Sequence, residues 1–260
     1  MALLLTIEDK IAHIQLNRPA ALNALSFATL REIDDTVARV EQEIEAGNVR
    51  GVFFTGTGEK AFCAGADITE LLNRSLMEES VATKYGQGVM TRISELRVPT
   101  VAVIHGYAFG GGLELALSCT FRVATPKAKV GLPEIKLGLV PGYGGTQRLP
   151  RLVGEGRALD IIMSGRTVEA DEAERIGLVT RKVDDGDPLT IGKAFLAPYL
   201  KFGLPALDLA RQAVTRGMQT SLVEGLKIER DLSTLSFETE DGQEGMKAFL
   251  EKRPAQFRDR

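Results

Sequence analysis

The sequence predicts an α/β fold in which short strands and helices alternate for most of the chain, with helices alone at its end. Three observations carry this. Apolar residues run in strand-sized stretches, such as Gly51 to Thr55 and Val98 to Ile104. Glycine-rich turns follow several of those stretches and open helical patterns. Beyond about Pro198 only the three-and-four spacing of amphipathic helices is left.

Taken in order, Leu3 to Ile7 and Ile11 to Leu16 read as a hairpin around Glu8-Asp9-Lys10, ended by Asn17-Arg18-Pro19. From Ser26, a fitting N-cap, Leu30, Ile33, Val37, Val40 and Ile44 recur with helical period up to about Gly47. Gly51 to Thr55 is a buried strand. The turn after it leads through Phe62-Cys63-Ala64-Gly65-Ala66-Asp67 to a helical segment expected around Thr69 to Leu72. Pro99 to Ile104 is the next strand, punctuated by His105-Gly106, and Gly110-Gly111-Gly112 opens a helix over Leu113 to Ser118. Phe121 to Ala124 and Val130 are further strand candidates; helices are expected around Gln147 to Val153 and Ala158 to Ser164. Leu207, Ala210, Val214 and Met218, then Leu222, Leu226, Leu232 and Leu235, then Met246, Phe249 and Leu250 mark a helical module. We therefore expect a core at residues 1–195 and a helical module at 196–260.

Composition excludes several classes. The 260 residues are 26% charged and 44% apolar with 27 glycines, as in an ordinary folded enzyme. With 32 basic against 35 acidic residues there is no global positive field to hold a nucleic acid. Cys63 and Cys119 are too few for a disulfide framework or a zinc quartet and read as core residues in a reducing compartment. The apolar run Met1 to Leu5 has no cationic stretch before it and is followed at once by Glu8, Asp9 and Lys10, unlike a signal peptide. The uncharged apolar stretches fall short of the roughly 18 residues of a membrane-spanning helix. A cytoplasmic protein without a membrane partner is expected. Thr55 to Lys60 lacks the spacing of a phosphate loop. His13 and His105 have no Cys or His at metal-ligand spacing, so no metal is expected.

One constellation carries chemistry. Glu114 follows Gly111 by three positions, which places both on one face of the same helical turn. First-turn amides have no intrahelical partner and sit at the positive end of the helix dipole, and a glycine there lets a polarised oxygen approach. The turn Ala64-Gly65-Ala66-Asp67 offers the Ala66 amide as a second donor. A second carboxylate, Glu134, follows Pro133, and a third glycine-rich turn runs Pro141-Gly142-Tyr143-Gly144-Gly145. Spacing alone does not bring these loops together; on the residues alone the glycines read first as tight turns and Glu114 as a solvated helix residue.

The blocks Asn17-Arg-Pro through Leu22-Asn-Ala-Leu25, Ala61-Phe-Cys-Ala-Gly-Ala-Asp-Ile68, Gly106-Tyr-Ala-Phe-Gly-Gly-Gly-Leu-Glu-Leu115, Gly131-Leu-Pro-Glu-Ile135 and Pro141-Gly-Tyr-Gly-Gly-Thr-Gln-Arg-Leu149 resemble the enoyl-CoA hydratase/isomerase (crotonase) family in order and spacing. Phe249-Leu-Glu-Lys-Arg253 resembles that family's C-terminal tail, so the likeness covers nearly the whole chain. It implies an α/β crotonase-type spiral of repeated ββα units with a helical C-terminal oligomerisation module, assembled as a homotrimer or as a homohexamer of two trimers. It implies oxyanion-hole donors at the amides of Ala66 and Gly111, each typically worth about 2.7–4 kcal/mol in the transition state. The two hydratase carboxylates fall on Glu114 and Glu134. Glu134 would protonate the α-carbon, Glu114 would activate the attacking water, and the Gly142 amide would help to position it. The acyl-CoA thioester substrate would lie along Ala24, Ala64, Asp67 and Ile68, with Phe249 and Lys252 reaching the nucleotide of a bound or neighbouring subunit. CoA is part of the substrate and no separate cofactor is expected.

Two positions depart from the family pattern: His105 stands where Asn is frequent, and Tyr143 where a small residue is common, which would narrow the acyl pocket. The resemblance leaves double-bond isomerisation as a rival, since that reaction needs only one carboxylate. A serine hydrolase on a related spiral would need a G-x-S-x-G and a His base, and a non-catalytic RNA-binding relative would need a basic face; the sequence has no such motif or charge excess.

Overall fold

The computed structural model describes residues 1–260. The chain divides into two compact units, Met1–Leu96 with Thr100–Ala194, and Arg97–Pro99 with Phe195–Arg260.

The first unit opens on β1 (Leu3–Glu8) and β2 (Ile11–Leu16), antiparallel with Leu3 opposite Leu16. Their reversal uses Asp9 and Lys10 at φ 52° and 62°, the left-handed pair that a two-residue hairpin of matching twist requires. Helix α1 (Phe27–Glu45) starts where Ser26 Oγ accepts the Thr29 amide at 3.1 Å, and buries Leu30, Ile33, Val37, Val40 and Ile44 as one stripe. Then follow β3 (Gly51–Gly56), β4 (Ala61–Cys63), a 3₁₀ turn at Ile68–Glu70 and α2 (Leu76–Glu95). Next come β5 (Thr100–Ile104), β6 (Tyr107–Phe109), α3 (Gly111–Ser118), β7 (Phe121–Ala124), β8 (Lys129–Gly131) and a 3₁₀ turn at Glu134–Leu137. Helices α4 (Gly145–Val153) and α5 (Glu155–Ser164), strand β9 (Val168–Glu169), α6 (Ala170–Arg175), β10 (Arg181–Lys182) and α7 (Pro188–Leu196) complete the series, with the unit boundary inside α7.

The strands make two sheets, ordered β1-β2-β3-β5-β7-β10 and β4-β6-β8-β9. The pairs β3/β4, β5/β6 and β7/β8 each place one strand in each sheet, so the chain coils through both layers. Strands β4, β6 and β8 are parallel neighbours. Their ends therefore face the same way, with the Ala64–Asp67 turn after β4, the Gly110–Gly112 turn after β6 and the Glu134 segment after β8.

Strands β3 and β5 are wholly buried, with Phe53, Phe54, Phe62, Ile14 and Leu16 among the largest inaccessible side chains. Apolar burial at about 25 cal/mol per Å² is the main stabilising term here. His13 belongs to this core: its ring stacks on Phe53 at 4.3 Å, its Nε2 pairs with Thr55 Oγ1 at 2.7 Å, and burial lowers its pKa to about 4. Cys63 and Cys119 are free and buried, with both thiols pushed up to about 12, so they are inert.

The helix expected around Thr69 to Leu72 is only a 3₁₀ turn, and the helix of this region is α2, twenty residues long and not anticipated. Its buried face is Ala82, Gly86, Val89, Met90 and Ile93, in which small residues dilute the apolar stripe that marks a helix. Its local signal was the capping box, with Ser75 Oγ accepting the Glu78 amide and Glu78 accepting the Ser75 amide. Strands β4 and β6, three residues each, are too short to show a period.

The second unit contains a 3₁₀ turn at Tyr199–Lys201, then α8 (Leu204–Gly217), α9 (Leu222–Phe237) and α10 (Glu240–Leu250). Helices α8 and α9 meet closely where both are glycine, a Cβ on Gly225 lying 3.5 Å from the Gly217 Cα. The C-terminal tail folds back: buried Asp241 accepts the amides of Arg258 and Asp259 at 2.7 and 2.9 Å, and Asp259 accepts the Leu204 amide at 2.8 Å. No helix of either unit is long and apolar enough to cross a membrane, and no cluster of three or more His, Cys, Asp or Glu is placed to hold a metal ion.

Candidate active site

The site is built where β4, β6 and β8 end. Gly110, at φ 50° and ψ −127°, turns the chain from β6 into α3, and its amide donates to Gly131 O at 3.0 Å at the end of β8. Gly112 lets α3 seat on β4: any Cβ there would overlap Cys63 O and stand 2.7 Å from the Cys63 carbonyl carbon. The Gly111 amide, first in the helix, donates to no protein acceptor. The Ala66 amide is likewise unclaimed. In the isolated bridge between Leu25 and Ala66, the Leu25 amide donates to Gly65 O at 2.7 Å and the Asp67 amide to Leu25 O at 2.9 Å, which turns the Ala66 N–H away from the bridge. The two turns touch, because a Cβ on Gly65 would lie 3.9 Å from the Gly110 Cα.

Glu114 lies on the first turn of α3 at 2% exposure. Its Oε1 accepts the amides of Tyr143 and Gly145, both at 2.8 Å, so the third glycine-rich turn closes onto this carboxyl. Burial pushes the Glu114 pKa up to about 7; the Gly145 and Tyr143 amides oppose that rise and the Glu134 carboxyl adds to it. Glu134, opening the 3₁₀ turn after β8, is half-buried with Oε2 inaccessible and without a hydrogen-bond partner, and its Oε1 stands 2.7 Å from the Cβ position of Gly110. Burial raises its pKa as well. Two neighbouring carboxyls whose pKa values are raised mainly by burial can carry protons to and from a bound molecule.

The 141–145 turn is held from two helices. Gln87 Nε2 of α2 donates to Gly142 O at 2.9 Å, and Arg148 Nη1 of α4 donates to Tyr143 O at 3.1 Å. The half-buried Tyr143 phenol is pushed up to about 12 by burial and stays protonated.

Ala24, Ala64 and Asp67 gather at one place. Arg18 donates to Ala24 O at 2.7 Å and pairs with Asp67 at 3.2 Å, and the Ala64 amide donates to Leu22 O at 3.0 Å; Ile68 follows at 45% exposure. Phe249 and Lys252 belong to the second unit, at the end of α10, where Phe249 is 83% exposed and Lys252 is left-handed at φ 55°.

Reading the sequence missed the residues that hold these parts in place. Asn23, 1% exposed and left-handed at φ 59°, donates from Nδ2 to Thr57 O at 3.0 Å and Ala61 O at 2.9 Å and accepts the Arg18 amide at 2.9 Å. It fixes the 22–25 turn against β4 and thereby the Leu25 bridge to Ala66. Gln87 and Arg148 were also missed, since nothing in the spacing links α2 or α4 to the 141–145 turn.

Chemically, the arrangement offers two unclaimed main-chain donors for an oxygen that gains negative charge, beside two proton-carrying carboxyls. Residues 6–260 match the family model described as enoyl-CoA hydratase/isomerase. The chain belongs to that family. It is 44% identical over 255 residues to a crotonyl-CoA hydratase of Syntrophomonas wolfei, covering 98% of this chain and 97% of the relative. It is 41% identical over 246 residues to a short-chain-enoyl-CoA hydratase of Clostridium acetobutylicum, covering 95% and 93%. A crystal structure of enoyl-CoA hydratase from Bacillus anthracis superposes with a TM-score of 0.93 over all of both chains at 36% identity. The α/β crotonase fold expected from the resemblance is thereby established.

Proposed function

We infer that this chain is an enoyl-CoA hydratase, a hydro-lyase that adds water reversibly and syn to 2-trans-enoyl-CoA thioesters to give 3-hydroxyacyl-CoA. The observation that carries the reading is the pairing of Glu114 and Glu134, both with raised pKa, beside the free amides of Ala66 and Gly111. The relatives named as hydratases support it.

In this reading the Ala66 and Gly111 amides hold the thioester oxygen. Ionised Glu114, its Oε1 occupied by the Tyr143 and Gly145 amides, takes a proton from water with the remaining oxygen, while the Gly142 amide orients that water. The water oxygen bonds to the β-carbon and the carbonyl oxygen becomes an enolate. Protonated Glu134 delivers its proton to the α-carbon, collapsing the enolate, and transfer of one proton from Glu114 to Glu134 resets the pair. The groups named suffice for this chemistry with CoA as part of the substrate. CoA runs along Ala24, Ala64, Asp67 and Ile68, and Phe249 and Lys252 meet the nucleotide of a neighbouring subunit's substrate. The exposed apolar residues of the second unit, among them Leu222, Val223, Leu226 and Leu235, cover one another between copies in a homotrimer or homohexamer.

The test is the loss of conjugated-thioester absorbance with crotonyl-CoA, run beside Glu114→Gln and Glu134→Gln. Rapid loss that falls by about 10²–10⁴-fold in each variant is expected from a lost proton-transfer group. Conversion of a 3-enoyl-CoA to the conjugated form without hydration would replace this reading with the isomerase.

A further inference from the structure

Gly86 is buried in the interior of α2. Glycine there costs about 1 kcal/mol relative to alanine, and Gly86 is not among the residues of positive φ, so its backbone does not require it. The space around it does. A Cβ on Gly86 would stand 2.5 Å from Tyr143 Cδ1 and 3.0 Å from Cζ, and closer still to Cε1. Gly88, two positions on, has nothing within 4 Å of its Cβ site, so the effect belongs to position 86. The opposite edge of the same ring, Cδ2 and Cε2, lies 3.4 and 3.5 Å from the Cβ site of Gly111, and Leu25 Cδ1 flanks that site at 3.4 Å. The ring is clamped between the bare backbones of α2 and α3, while its own amide is fixed on Glu114.

We propose that Tyr143 is the chain-length-determining residue of this enzyme: its ring, housed by Gly86, walls off the acyl site beyond the reacting carbons and restricts the substrate to short 2-enoyl thioesters. The placement of substrate rests on the hydratase reading. With the thioester oxygen on the Ala66 and Gly111 amides and the double bond beside the two glutamates, carbons beyond the β-carbon run toward the residue whose amide holds Glu114. The ring attached to that residue already fills the space beside Gly111. It cannot withdraw toward α2, because it is in contact with that helix at Gly86, and a close-packed wall does not yield to an added methylene without cost.

The experiment measures kcat/KM for crotonyl-CoA, 2-octenoyl-CoA and 2-dodecenoyl-CoA. Independently of turnover, calorimetry gives the affinities for butyryl-, octanoyl- and dodecanoyl-CoA. Both are run on the wild type, Tyr143→Phe, Tyr143→Leu, Tyr143→Ala and Gly86→Ala. In the wild type and Tyr143→Phe both quantities fall from the short to the long thioester. Tyr143→Ala and Tyr143→Leu raise the long-to-short ratio by about tenfold or more, the scale of one pocket methylene. Gly86→Ala, which pushes the ring toward Gly111, lowers the affinity for butyryl-CoA. The proposal is overturned if wild-type affinities for butyryl- and dodecanoyl-CoA agree within about twofold, or if either reduced side chain leaves the ratio unchanged in a cooperatively melting protein. Absence of hydration with selective binding intact would sink the hydratase reading alone, because the affinities report the wall by themselves. Using both Leu and Ala keeps one reporter in hand if the smaller side chain prevents folding.

Discussion

Glu114 links the chemistry of the site to the stability of the fold. Its pKa is raised from 4.5 to about 7, so between those values the folded chain keeps a proton that the unfolded chain has lost. Stability therefore falls as pH rises through that window, by on the order of 3 kcal/mol for this carboxyl. Urea midpoints of the wild type should drop from pH 4.5 to pH 7.5 relative to those of Glu114→Gln; parallel curves would refute the assignment. Hydration by the proposed mechanism needs ionised Glu114 and protonated Glu134 together, so its pH profile should be bell-shaped, rising on the acid side as Glu114 ionises and falling again as Glu134 loses its proton. Asn23 makes the converse case. Asn23→Asp would turn a carboxylate oxygen onto the carbonyls of Thr57 and Ala61, and an unsatisfied buried charge typically costs about 3 kcal/mol or more. A drop in melting temperature together with weakened hydration is the expected result, since the same side chain holds the 22–25 turn whose Leu25 bridges Ala66. Residue roles of this kind are only half legible in a sequence. Glu114, Glu134 and the glycines stand out through the motif blocks that resemble the family, whereas Asn23 and Gln87 act through carbonyls on strands and turns remote in the chain.

Helix α3 shows what a single element must satisfy. Its eight residues are all buried, and it is fixed at both ends. At its start Gly112 admits the Cys63 carbonyl; at its end Arg122, 5% exposed, donates to the carbonyls of Cys119 at 2.9 Å, Ala116 at 3.5 Å and Leu178 at 2.8 Å. The cation meets the negative end of the helix dipole and satisfies carbonyls the helix leaves open. Arg122→Met should leave the buried Cys119 and Leu178 carbonyls without this donor, costing about 2–4 kcal/mol in chemical denaturation. Gly112→Ala should be worse for activity than for solubility, since any shift that relieves the overlap carries the Gly111 amide and Glu114 with it. A wild-type kcat/KM in Gly112→Ala would refute that coupling. Helix α1 was legible from period and cap together. Helix α2 was not, because its inner face is kept small where Tyr143 packs on Gly86, so the feature that hides the helix is the one that shapes the site.

For the whole molecule, the α/β class and the helical end were readable because alternation of short apolar runs with glycine turns, and then its disappearance, are long-range patterns. The meeting of the loops was not readable, because it depends on β4, β6 and β8 lying side by side in parallel, a pairing of residues far apart in sequence. The second unit leaves Leu222, Val223, Leu226, Leu235 and Phe249 exposed, more than a solitary surface normally carries. Sedimentation equilibrium should give a mass of a trimer or its double, and Leu226→Asp paired with Leu222→Asp should lower it; a monomer at micromolar concentration would refute the assembly.

The parallel β4-β6-β8 row has a consequence for how such a catalyst changes. Each strand is followed within a few residues by one functional group: the Ala66 amide after β4, the Gly111 amide after β6 and the Glu134 carboxyl after β8. The row works like a comb whose teeth are separately rooted. In the proposed reading, replacing the tooth after β8 alters the proton donor alone and leaves the two amides after β4 and β6 anchored, so a new reaction can be reached by editing that one loop while the grip on the activated oxygen is inherited intact.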